Sequence, residues 1–204
     1  MKKLTPDQVE QKKIIKRVKD VLGSRYVDIE IQQMMIHEDL VSEVTEVHCR
    51  LVLKQEIISV EARGAGLVDS LFKGIKSNLA SRYCSFEEIS FEDFTIDIDP
   101  TTRRKKVGTD VEVMVGVVVT NSRGSRHHFN SSAKSFNTAA VRAVLKAIEY
   151  YLNCEVAVLL LKELIGDAQA RNRADLETLY VNSLSDIVPN TSYVKVIKKW
   201  EEKN

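Results

Sequence analysis

Two amphipathic stretches of this chain match position by position at a spacing of 73 residues. Val68, Leu71, Phe72, Ile75 and Leu79 align with Val141, Val144, Leu145, Ile148 and Leu152. Both have helical apolar spacing, and both follow alternating segments that read as strands. This duplication constrains the fold more than any other feature. A single strands-then-helix unit has one apolar sheet face under one helix and cannot close a core, whereas two units together can. The expected fold is therefore α+β: two pseudo-repeated β-strands-then-helix units packed together, with helical N- and C-terminal extensions.

In the first unit Val47, Cys49, Leu51 and Leu53 alternate with His48, Arg50 and Val52, and Ile58, Val60 and Ala62 alternate after a polar break at Lys54–Glu56. This predicts a hairpin. Gly64-Ala65-Gly66 then leads into a helix over 68–83. In the second unit Phe94, Ile96 and Ile98 alternate with Thr95, Asp97 and Asp99, and Pro100 ends the strand. Residues 101–109 read as a charged connection. Val111, Val113, Val115, Val117 and Val119 form the clearest strand, Asn121-Ser122-Arg123-Gly124 a turn, and Arg126 to Asn130 the return strand before a helix over 141–152.

The flanks divide the chain into an N-terminal helical arm (1–43), the duplicated core (44–153) and a C-terminal helical extension (154–204). Thr5-Pro6-Asp7-Gln8 predicts a capping box, and Gly23 a stop. Residues 25–40 fit a strand, a helix or a loop. Beyond Cys154 an apolar run reaches Gly166, a helix is expected over 174–184, and Pro189-Asn190 precedes an apolar stripe ending at Trp200.

The charges balance, 30 basic against 29 acidic residues, which argues against a general nucleic-acid binder. RNA binding through Arg103, Arg104, Lys105, Lys106, Arg123 and Arg126 is the third-ranked class. No apolar run approaches the roughly 20 residues that span a bilayer. Three widely spaced cysteines suit reduced thiols, so a cytoplasmic protein is expected.

Few residues suggest chemistry. Gly64-Ala65-Gly66, between a strand and a helix start, allows close backbone approach and offers N–H groups to an anion, but lacks the further residues of a dinucleotide fingerprint or P-loop. His127 and His128, adjacent on a strand, point to opposite faces and make no metal pair. His37 and His48 have no ligand-spaced partners. Asp97, Asp99, Asp110, Glu87, Glu88 and Glu92 read as a solvated sheet face. No nucleophile has a recognisable base, so no catalytic residue, metal or cofactor is assigned.

Gly64-Ala65-Gly66-Leu67-Val68-Asp69-Ser70-Leu71, then Tyr83 and Phe91-Glu92-Asp93-Phe94-Thr95-Ile96, resembles the C-terminal regulatory domain of α-isopropylmalate synthase and citramalate synthase. Val107-Gly108-Thr109-Asp110, Ala139-Ala140-Val141-Arg142-Ala143 and Ile148-Glu149-Tyr150 are similar to further parts of that domain. The resemblance implies a paired βββα-type fold that dimerises and binds a branched-chain amino acid, leucine or isoleucine, as feedback effector in amino-acid biosynthesis. The family's catalytic TIM barrel would not fit in 204 residues beside this module, so no enzyme activity is expected. Leu67 stands where the family has proline, and no glycine lies between Gly124 and Gly166, so the second effector loop departs from the pattern.

These readings make the chain a regulatory module, homodimeric, that binds a small amino- or keto-acid effector. Gly64, Ala65 and Gly66 are the expected effector contacts, with Ser131, Ser132 and Asn137 at the equivalent second loop. The alternative is a scaffold or separate subunit that binds a catalytic partner without a small ligand.

Overall fold

A computed structural model describes residues 5–98, 111–191 and 193–202. The charged connection at 101–109, with Asp99, Asp110 and the basic run at 103–106, lies outside the described residues.

The chain opens with α1 (Pro6–Leu22). The Thr5 hydroxyl accepts the Gln8 N–H at 3.3 Å while the Gln8 side chain accepts the Thr5 N–H at 3.1 Å. The expected capping box thus forms, satisfying two helix-end donors. Next come β1 (Ile29–Asp39), β2 (Val44–Leu53), β3 (Glu56–Gly64) and α2 (Leu67–Ala80), then a four-residue turn of helix, α3 (Ser85–Glu88). The second unit is β4 (Ser90–Ile98), β5 (Val113–Thr120), β6 (Arg126–Ala133) and α4 (Phe136–Ala170), followed by α5 (Ala174–Ile187) and α6 (Tyr193–Glu201).

Each unit is a three-stranded antiparallel sheet in chain order, β1-β2-β3 and β4-β5-β6. Residues 29–39, open from sequence, form the outer strand of the first sheet and so join the core rather than the N-terminal arm. Val47, Cys49, Leu51 and Leu53 of β2 are buried against α2, and Val115, Val117 and Val119 of β5 against α4. The helices α2 and α4 also pack on each other, which joins the two units into one core.

Two expectations shift. First, the helix expected to end near Asn153 runs unbroken to Ala170, absorbing the apolar run after Cys154. It is buried on several faces because α1, α2, α5 and α6 all pack around it. Second, the repeat spacing is shorter. The helix caps Gly66 and Ser135 stand 69 residues apart, four fewer than the 73 that aligned the apolar residues. Four residues are close to one helical turn, so an amphipathic pattern matches itself under that slip. The duplication stands; the register moves by a turn.

A Cβ on Gly74 would lie 2.6 Å from Ala62 Cβ and 2.7 Å from Val60 Cγ1, so the missing side chain is what lets α2 sit against β3. At the shorter spacing its counterpart is Ala143, fully buried in α4.

Candidate functional site

The β3–α2 corner carries Gly64, Ala65 and Gly66. The Ala65 N–H, one of the donors expected to face an anion, is met at 3.3 Å by the carboxylate of Asp69, which also pairs with Lys73 at 2.8 Å. The chain thus supplies its own anion there. A Cβ on Gly64 would stand 2.5 Å from Asp69 Oδ2, whereas Gly66 has open space around its Cβ position. Ser70 closes the corner from beneath, its hydroxyl within 2.9 Å of Thr45 O and 2.8 Å of Gly66 O.

The second set lies on the other unit. Ser131 and Ser132 are neighbours on β6, so their side chains take opposite faces. Ser131 is buried under α4, opposite Val115, and Ser132 pairs across from Met114. Asn137 is exposed in the first turn of α4, whose cap is Ser135. The two sets therefore lie on separate units, and within the second the two serines face away from each other.

A hollow lies elsewhere, between α1, the free edge of β6 and α4, with a volume of about 520 Å³, within the range typical of small-ligand sites. Ile15, Phe129 and Tyr150 give it an apolar floor, and Lys12, Lys19 and Lys146 stand exposed around it. Lys146 Nζ donates to Asn130 O at 2.8 Å, and Lys19 Nζ lies 5.2 Å from the centre of the Tyr26 ring. Glu149 supplies the lining's one carboxylate and accepts the Ile29 N–H at 2.8 Å. Burial raises its pKa, while that hydrogen bond, Lys19 and Lys146 pull it down. Burial likewise pushes the Tyr26 hydroxyl up to about 12, so that group stays neutral at physiological pH.

The sequence alone assigns none of these lining residues to a binding site, yet a signal existed. Gln8, Lys12, Ile15 and Lys19 recur at helical spacing on one face of α1. What sequence could not show is which surface that face meets. Gln11 settles it: its side-chain amide accepts the His128 N–H at 3.0 Å and donates to His128 O at 3.1 Å. The amide pairs with the strand edge as another strand would.

Next to the cavity, His127 is held inside the core. Its Nε2 lies 2.9 Å from Asn190 Oδ1 and its Nδ1 2.9 Å from the Tyr151 hydroxyl. Asn190 Nδ2 donates to Ile187 O, which points its carbonyl oxygen at the imidazole. The neutral ring with its proton on Nε2 satisfies every member: Nε2–H donates to Asn190 and Tyr151 O–H donates to Nδ1. Burial lowers the pKa of His127. This network ties the C-terminal segment to the second unit.

With that architecture in view, the family comparison is decisive: residues 8–152 match the model of the LeuA allosteric (dimerisation) domain. The chain belongs to the LeuA allosteric domain family. The match covers well over half of the chain, takes in all six strands and runs from α1 into the first half of α4. A search of curated proteins gives no match. The LeuA-type domain is the regulatory, dimerising part of its family and not the catalytic one. Among the described residues no helix is long and apolar enough to cross a membrane.

Proposed function

We propose that this LeuA-type domain acts as a homodimeric, non-catalytic regulatory module that binds a small amino- or keto-acid effector and passes the binding on through its packed units. The observation that carries the reading is the family match over 8–152 together with two complete βββα units. Binding would favour one arrangement of α2 against α4, and a partner that senses that arrangement would respond. A branched-chain amino acid is the effector favoured by the family, and the cytoplasm the setting a biosynthetic regulator would have.

The corner residues Gly64, Ala65, Gly66, Ser131, Ser132 and Asn137 remain candidate effector contacts. At the first corner a ligand carboxylate would take the Ala65 N–H by displacing Asp69, whose charge stays balanced by Lys73. A methyl group at Gly66 meets no protein atom within 4 Å, so Gly66→Ala folds normally and weakens a ligand that approaches the backbone there.

Dimerisation has a candidate surface. Phe94 and Ile96 of β4 pair opposite Val117 and Val115, so they share the helix-facing side of the sheet, yet they are 44% and 57% exposed. The helix α4 covers β5 and β6 and leaves this strip open. A second copy covering it would extend the core. Calorimetric titration with leucine, isoleucine and the matching 2-oxo acids tests the effector. Heat and saturation with at least one of them is expected; silence with all of them overturns the reading.

A further inference from the structure

We infer that the cavity between α1, the β6 edge and α4 is itself a binding site for a small carboxylic acid with an apolar body, apart from both strand-to-helix corners. The inference rests on the proposed effector reading for the class of ligand alone; the place comes from the geometry. The hollow pairs an apolar floor with a cationic rim, the arrangement that matches a carboxylate joined to a hydrocarbon group. Ile15, Phe129 and Tyr150 would take the hydrocarbon, and Lys12, Lys19 and Lys146 would surround the charge. Three ammonium groups face one carboxylate, Glu149, and that carboxylate is already engaged with the Ile29 N–H. The site therefore favours an anion.

The backbone adds a donor. The N–H and C=O of His128 both point out from β6 to Gln11. In an antiparallel edge strand alternate residues point the same way, so the Asn130 N–H faces outward too, beside the carbonyl that holds Lys146. Lys146 and the Asn130 N–H form a two-point grip for one carboxylate. If the ligand carries an α-ammonium group, Glu149 is the acceptor within the same cavity.

The position would also give the ligand an effect. Its walls come from α1, β6 and α4, and a direct clasp between α1 and β6 runs through Gln11. A ligand bridging Lys12 on α1 to Lys146 on α4 would hold the N-terminal helix against the second unit, and free α1 would dock less firmly.

The test uses the full chain, titrated by calorimetry with 4-methyl-2-oxopentanoate, L-leucine and inorganic phosphate, alongside hydrogen exchange of Pro6–Leu22. Binding of an organic acid is expected to slow exchange across α1. The Lys12→Gln/Lys146→Gln double variant, whose changes are exposed, should raise Kd by about tenfold or more, roughly 1.4 kcal/mol. Lys16→Gln, an exposed charge change on α1 outside the cavity lining, should leave Kd alone. Tighter binding of leucine than of the oxo acid would assign Glu149 to the ammonium group. If acids bind but affinity falls only in Gly66→Ala, the cavity site is overturned and the effector reading survives at the corner. Binding of phosphate alone overturns the apolar-acid assignment, and no binding of any probe ends both.

Discussion

The two units share a fold and differ in what finishes them. The first seals its own corner: Asp69 and Ser70 close it, Gly74 lets α2 lie close on β3, and α2 ends at Ala80. Glu149 and Asn153 of α4 reach over to the start of β1, and Glu155 to the turn at Cys84 and Ser85. The second relies on the rest of the chain. Its helix continues to Ala170, α1 guards its edge through Gln11, and the C-terminal segment reaches its core through Asn190 and His127. A duplicated unit can thus keep its topology while one copy becomes the anchoring point for new elements. Polar side chains do that anchoring by imitating backbone. As Gln11 does for His128, Asn153 of α4 accepts the Val27 N–H and donates to Val27 O, each at 2.8 Å.

The comparison breaks first at Gly74. Gly74→Ala should destabilise the chain by about 1–3 kcal/mol, since the new methyl overlaps Val60 and Ala62. The matched change in the other unit, Ala143→Gly, removes helix propensity and a buried methyl group and should cost about 1–2 kcal/mol. Chemical denaturation of both variants measures this; a Gly74→Ala chain as stable as the native one would mean that α2 has room for the methyl group that Ala143 carries in α4.

His127→Ala should cost about 2 kcal/mol by stranding Tyr151 and Asn190. The loss should appear in hydrogen exchange as faster exchange at residues 188–191, with little change in β1–β3. The same residue predicts a pH dependence. Its folded pKa lies below the ordinary value near 6.5, so the unfolded chain takes up the proton first. Stability should fall as pH drops below about 6.5 and go on falling until the folded ring protonates. In His127→Ala that part of the acid-side loss should disappear from denaturation curves taken between pH 7 and 5.

Gln11→Ala should cost about 1 kcal/mol by leaving the His128 edge to water, with faster exchange at the His128 amide as its signature. The smallest effect lies in the first unit's hairpin. Lys54 and Gln55 make its two-residue turn with positive φ at both, 49° and 77°. Replacing them with Asn-Gly, which suits that turn, should stabilise the chain by about 0.5 kcal/mol, read as a small rise in Tm.

Much of this was legible in the sequence, for physical reasons. The valines of β5 alternate because one face is buried, and Thr5, Pro6 and Gln8 announce a helix start through local hydrogen bonding alone. The strand β1 was not legible: it is a sheet-edge strand, and Gln32, Gln33, Met35, His37 and Glu38 are exposed, which blurs the period-two pattern. The length of α4 was hidden because its burial is spread around the helix, leaving little amphipathic contrast. The corner glycines were visible, but the carboxylate that fills the corner follows from the geometry of Asp69, four residues from Ala65. The cavity needs α1 and β6, over a hundred residues apart, to meet, and single-sequence periodicity carries no such pairing.

The claim beneath the functional reading is that two copies of this chain associate through the uncovered helix-side strip of β4. Light scattering coupled to size-exclusion chromatography tests it directly. The native chain should elute with twice its 23.1 kDa mass, and Phe94→Asp/Ile96→Asp should elute as a folded monomer. A native chain that runs as a monomer at micromolar concentration, or a double variant that stays dimeric, would contradict it.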